Sequence, residues 1–326
     1  MHSLTRFDAA ANQIRVVGLL LLAILVGCGD GDTDSGDARR PQASADAEGS
    51  NGSVTNGPDT VVDAYKRRRI FSQAPARVIS FAPNLTETVF FVGAGDRLVA
   101  RTDFCNYPPE ANALESIGTL FSYNYERLVA LRPDLLLMMT FDGSSRKEYD
   151  RLEALGLQPF ALSEGPLDGI IDGIDTVGRL FGRTEETRRK TDVMRRRLDS
   201  LRRFARSEEP VSVFVVIESS PLITVSSGFI DQMITAAGGR NIAAGDATAY
   251  PRYSREVVLR DDPDVILISG FSNDAVDKLL RLYPEWNGLR AARNGKIVVF
   301  DSDLLSRPGP RLIEGIVALR EVLKGM

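Results

Sequence analysis

The strongest constraint on the fold is a pattern that occurs twice: Glu, six residues, Pro-Asp, then three apolar residues. The first copy runs over residues 126–137 and contains Pro133-Asp134; the second runs over 256–267 and contains Pro263-Asp264. Each predicts a short helix, a corner at Pro-Asp and a buried strand, because proline ends a helix and the apolar run has strand length. Each acid stands two places after a candidate N-cap, Asn124 or Ser254. A unit repeated at this separation predicts two equivalent lobes, each presenting one carboxylate, Glu126 or Glu256. That pattern points to a molecule gripped symmetrically by a partner.

The 326 residues leave room for two domains and an unfolded segment. Arg6 and Arg15 precede an apolar run over residues 16–26, too short to span a bilayer and suited to a signal-peptide core. It ends Leu25-Val26-Gly27-Cys28, which resembles a bacterial lipobox, so residues 1–27 are expected to be removed and Cys28 lipidated. The lipid would be the chain's membrane contact, placing it outside the cytoplasm. Cleavage takes away His2, the only histidine, and leaves Cys105 as the only unlipidated cysteine. Without them there is no internal disulfide, no Ser-His-Asp or Cys-His relay and no His/Cys zinc site, so metal ligation and catalysis are not expected. Residues 28–59 are rich in Gly, Ser, Asp, Asn and Ala. They read as a disordered tether with a reach on the order of 30 Å. Asp30, Asp32, Asp34 and Asp37 belong to it; they lack the spacing of a calcium loop. The net charge of -4 argues against nucleic-acid binding.

Residues 60–166 read as a first lobe, opening with a small hairpin around Lys66. Strands are predicted over residues 77–81, 98–101, 135–139 and 159–162, with a helix from Pro83 closed by Gly93-Ala94-Gly95. Residues 209–326 repeat the plan, with strands over 211–217, 265–269 and 297–300 and helices over 229–237 and 311–323. Strands alternating with helices make this an α/β chain with mainly parallel, helix-flanked sheets. A connecting region spans residues 167–208. Within it, residues 184–206 form an uninterrupted helical pattern with Thr184 as cap and an apolar stripe at Met194, Leu198, Leu201 and Ala205. As a helix it is a rigid rod of about 35 Å, long enough to join two lobes. Its arginines read as a solvated face.

Several stretches resemble the substrate-binding proteins of ABC importers for cobalamin and iron-siderophores. They are Arg77-Val78-Ile79-Ser80-Phe81-Ala82-Pro83-Asn84-Leu85-Thr86-Glu87, Asp103-Phe104-Cys105-Asn106-Tyr107-Pro108-Pro109, and Asn124-Tyr125-Glu126 through Pro133-Asp134. In the second half they are Tyr253-Ser254-Arg255-Glu256-Val257-Val258-Leu259, Trp286-Asn287-Gly288-Leu289 and Arg307-Pro308-Gly309-Pro310-Arg311. Tyr-Pro-Pro and Ser-Arg-Glu-x-Val-Leu match the cobalamin-binding branch best. The resemblance covers about residues 60–326. It implies two lobes joined by one helix, a monomer, and delivery of a metal chelate to an ABC permease and its ATPase. No protein cofactor is implied, since the ligand brings its own cobalt or iron.

The resemblance places Glu126 and Glu256 where family members meet permease arginines. It places the ligand between the lobes, at the C-terminal ends of the strands. Candidate contacts are Pro83, Asn84, Arg101, Phe104, Leu120 and Phe141 from the first lobe, and Tyr250, Arg252 and Arg307 from the second. Phe104 and Tyr250 match aromatic residues that contact corrinoid, whereas Leu120 stands where the cobalamin binder has tryptophan. Aromatic walls suit a corrin, and the arginines suit an anionic siderophore, so both chelates remain open. Two other readings stand beside transport. One is an enzyme using cleft carboxylates such as Asp103 or Asp303; the other is a tethered sensor or adhesion module. Cys105 reads as a small half-buried residue beside the cleft.

Overall fold

The computed structural model describes residues 60–120, 122–140 and 143–325. The expected signal peptide, tether and Cys28 lie outside them, as does Phe141. A hairpin of Thr60–Val62 and Arg68–Ile70 precedes the first sheet, with Lys66 in the left-handed region at its turn. That sheet contains β1 (Val78–Ser80), β2 (Leu98–Arg101), β3 (Glu115–Ser116), β4 (Leu135–Thr140) and β5 (Pro159–Ser163). All are parallel, in the order β3-β2-β1-β4-β5. The second sheet contains β6 (Val211–Val216), β7 (Gly239–Asn241), β8 (Val265–Gly270) and β9 (Ile297–Asp301), parallel in the order β7-β6-β8-β9. In each sheet the chain first builds outward on one side, then returns to build the other. The reversals fall between β1 and β4 and between β6 and β8, and such reversals open a crevice at the strands' C-terminal ends.

The repeated Pro-Asp is what pins these reversals. Asp134 accepts the backbone amides of Ala76 and Arg77 at 2.7 and 2.9 Å, just before β1. Asp264 accepts the amide and hydroxyl of Ser212 in β6 at 3.0 and 2.5 Å. Each aspartate thus ties the start of one strand flanking the reversal to the other. The residue before each proline, Arg132 or Asp262, has a positive φ of 45° or 40°. That left-handed step turns the chain out of the preceding helix, α2 (Tyr125–Ala130) in the first lobe.

The lobes are joined by α3 (Leu167–Leu180) and α4 (Thr184–Arg206). Arg183, not Thr184, occupies the N-cap of α4 and makes no side-chain cap; Thr184 is already helical, and Glu185 and Glu186 supply the favourable first-turn charge. Met194 and Leu198 are buried as the stripe requires, and Thr187 and Thr191 extend it. The arginines of α4 do more than face solvent. Arg195 reaches Asp172 and Asp175 at 2.7 Å, and Arg202 reaches Asp168 at 2.8 Å, all on α3. The two helices close because Gly178 has no side chain: a Cβ there would stand 2.4 Å from Thr187 Oγ1. One apolar cluster runs from Val78 and Leu135 through Ile170, Ile174 and Leu198 to Val213, Leu267 and Ile316. The connecting helices therefore share a continuous core with both lobes, and each outer sheet face has its own cluster.

Candidate functional site

The crevice lies where α1 (Pro83–Phe91) faces the segment between α5 (Ser302–Ser306) and α6 (Leu312–Lys324). Pro83 sits in the first turn of α1, where a missing amide costs nothing. The next side chain, Asn84, is buried and donates to Pro308 O at 3.1 Å across the lobes. Gly309 permits this approach, since a Cβ there would lie 3.3 Å from that of Asn84.

One turn further along α1, the buried carboxylate of Glu87 takes two arginines from the opposite lobe. Arg307 Nη1 donates at 2.9 Å, and Arg311 donates from Nε at 2.9 Å and Nη2 at 2.7 Å. Arg307 also meets Asp303 at 2.7 Å and donates to Phe104 O at 3.3 Å, and Arg311 stacks 4.2 Å above the Tyr107 ring. Two acids and two arginines close a balanced network in which Arg307 is only 10% exposed. Its charge is satisfied within the protein. Burial raises the Asp303 carboxyl while Arg307 opposes that shift.

The other candidates separate. Arg101 is taken up by carbonyls, Ala111 O at 2.7 Å, Thr102 O at 2.9 Å and Asp103 O at 3.3 Å, so it shapes the loop that carries Phe104. Leu120 is half-buried and packs against the outer-face cluster of the first lobe. Arg252 is exposed beside Ile223 at an isolated bridge. Tyr250 is buried, and burial together with the Glu164 charge raises its phenol. Glu164 itself escaped the sequence reading. It follows the C-terminal end of β5, and burial pushes its carboxyl up to about 7. Its only sequence signal is that position. Cys105 is fully rather than half buried, 3.1 Å from Thr102 Oγ1, and burial pushes its thiol up, away from the reactive thiolate.

The two repeated glutamates are exposed, Glu126 on α2 and Glu256 on Arg255–Asp261. Their surroundings differ. Asn124 caps α2 by accepting Arg127 N at 2.9 Å, as the sequence predicts. Ser254 makes no backbone cap; its hydroxyl donates to Glu256 at 2.6 Å instead. That hydroxyl, the local backbone amide and Arg255 pull the Glu256 carboxyl down to about 2.

Residues 78–304 match the family model described as periplasmic binding protein. A vitamin B12-binding protein of Vibrio campbellii is 30% identical over 256 residues, covering 77% of this chain and 90% of that one. The crystal structure of the periplasmic vitamin B12 binding protein of Vibrio cholerae is 29% identical with a TM-score of 0.67, covering 77% of this chain and 97% of the other. A periplasmic heme binding protein of Pseudomonas aeruginosa is 27% identical with a TM-score of 0.67, covering 76% and 92%.

Proposed function

The chain belongs to the periplasmic binding protein family, and from that premise we propose that it captures a planar metal chelate, foremost a corrinoid, and hands it to an ABC permease. The observation that carries the choice of ligand is the charge balance of the crevice. Arg307 is neutralised by Glu87 and Asp303, and Arg101 is bound to carbonyls. An anionic siderophore would have to displace those contacts, whereas a flat macrocycle needs only the apolar and aromatic surface of Phe104 and Tyr250. The relatives' names agree with this class of ligand.

In this reading Pro83, Asn84, Phe104 and Glu164 meet the ligand from the first lobe, and Tyr250 and Arg252 from the second. Cobalt or iron arrives inside the chelate, and the protein supplies no cofactor. Glu126 and Glu256 dock the permease, and a lipid on Cys28 holds the chain outside the cytoplasm. Among the described residues no helix is long and apolar enough to cross a membrane. The role is binding rather than turnover, as it is for the relatives.

Calorimetric titration with cyanocobalamin, haemin and a ferric hydroxamate tests the reading. Saturable one-to-one binding of cyanocobalamin supports it; binding of the hydroxamate alone overturns it. Tryptophan fluorescence is a poor substitute, because Trp286 is fully buried and stacked on Tyr283 in the outer cluster of the second lobe. Haem is the second reading. The heme-binding structure of the same fold, 27% identical, favours it. Saturable binding of haemin without binding of cyanocobalamin would select haem over corrinoid.

A further inference from the structure

The two repeated units diverge at the residue before the glutamate. Tyr123-Asn124-Tyr125-Glu126 in the first lobe stands against Tyr253-Ser254-Arg255-Glu256 in the second. Arg255 turns onto the glutamate it precedes, at 3.1 Å. Tyr125 turns to another acid. Its hydroxyl lies 2.9 and 3.0 Å from the two carboxylate oxygens of Glu148, on the helix Gly143–Ala154, and donates to them. Tyr123 donates to the same carboxylate, and its ring meets that of Tyr125 at 5.0 Å. Phe81, at the crevice end of β1, packs edge-on against Tyr123, also at 5.0 Å. The Arg151 guanidinium covers the Tyr125 ring at 4.0 Å. Burial and the Glu148 charge raise both phenols, which keeps them protonated and donating.

These contacts hold the start of α2 without using Glu126. A helix of six residues is not stable by itself and takes its order from such contacts. Arg127, the cation next in sequence, is spent on Glu115, with Nη2 at 2.7 Å from Oε2. Glu126 is left exposed, with no hydrogen-bond or ion-pair partner among the described residues. A free carboxylate on a held helix is pre-organised, because an incoming arginine meets it without first ordering the segment. The second lobe has no matching clamp at this place: the Tyr253 hydroxyl reaches a backbone carbonyl, Ile242 O, at 3.4 Å.

We propose that Glu148 is a positioning residue for docking, holding α2 through Tyr125 so that Glu126 is presented to a permease arginine. The proposal rests on the docking role of Glu126 and makes no demand on which chelate is carried.

Binding of the intact protein to vesicles that carry its permease and ATPase tests it. Glu148→Ala should weaken binding about two- to tenfold, the ordering cost of a side chain or two. Tyr125→Phe, which removes one hydroxyl and keeps the ring, should act in the same direction, and Tyr253→Phe should be neutral. In a Glu126→Ala background Glu148→Ala should add less than about twofold, whereas in a Glu256→Ala background it should keep its full effect. Equal losses in the two backgrounds would mark a general loss of structure and overturn the proposal. Wild-type binding by both Glu148→Ala and Tyr125→Phe would overturn it too. Failure of Glu126→Ala itself to weaken binding would instead remove the docking role on which the proposal rests. Cyanocobalamin titrated calorimetrically into Glu148→Ala and Tyr125→Phe reads the crevice independently and should be unchanged.

Discussion

At the scale of the residue, Glu164 is the group whose charge ordinary solution conditions can change. Its folded carboxyl, at about 7, stands above the ordinary value of 4.5 because burial disfavours the ion. Below pH 4.5 it is neutral in both folded and unfolded chains and costs nothing. As pH rises through 7 the unfolded chain gains from ionisation that the fold resists, so this stability is lost with rising pH. Glu164→Gln should flatten that decline between pH 4.5 and 7, read from denaturant midpoints across the window; an unchanged slope would refute the assignment. Glu87 presents the opposite case, a buried ion that is fully paired. Glu87→Gln leaves Arg311 without its counter-charge and Arg307 with Asp303 alone, and breaking such a pair costs about 3–5 kcal/mol. Urea titration measures it. Neither role is legible in the sequence. Glu87 and Arg307 are 220 positions apart, and only the packing of two lobes decides that they meet. Arg307 reads locally as an anion receptor for this reason; of the two acids that satisfy it, Glu87 lies on the other lobe.

The elements were far more legible, and the physical reason is that their signals are local. Apolar runs bounded by glycine or proline located the principal strands, and the span of the connecting helix follows from its apolar stripe and its polar ends. What local pattern could not assign was the division of labour inside the repeated unit. The glutamate drew attention as a partner contact, while the aspartate eight positions later holds the reversal of each sheet. Asp134→Ala and Asp264→Ala should each destabilise, by about 1 kcal/mol at the exposed Asp134 and about 1–3 kcal/mol at the more enclosed Asp264. Equilibrium unfolding of each variant gives the comparison, and equal losses would contradict the difference in exposure. The caps show the same limit. Asn124 and Ser254 occupy matching places, yet only Asn124 bonds the helix backbone, because the serine hydroxyl finds Glu256 first. Gly178→Ala tests the seam between α3 and α4. A Cβ 2.4 Å from Thr187 forces the helices apart, and overpacking of this kind costs about 1–3 kcal/mol.

At the scale of the whole molecule, two lobes on one continuous core behave as a stiff body carrying one exposed acid on each half. The shared cluster through α3 and α4 resists large domain rotation, since opening it would expose apolar surface at about 25 cal/mol per Å². A receptor of this kind can signal its partner mainly through the rigid spacing of its contacts, which makes Glu126 and Glu256 the points where the proposed docking is most exposed to test. They are not equal contacts. Glu126 has no ion-pair partner among the described residues and offers its full charge to an incoming arginine. Glu256 already holds Ser254 and Arg255, at 2.6 and 3.1 Å, and must share or release them on docking. Charge reversal, Glu126→Arg with Glu256→Arg, should abolish chelate uptake in cells while calorimetric affinity for the chelate stays within about twofold, because rim charges govern association with the partner and not the crevice. Of the single changes, Glu126→Arg should lower uptake more than Glu256→Arg. Uptake that survives the double reversal would remove the docking role from both residues, and equal single effects would show that the internal contacts of Glu256 are given up without cost.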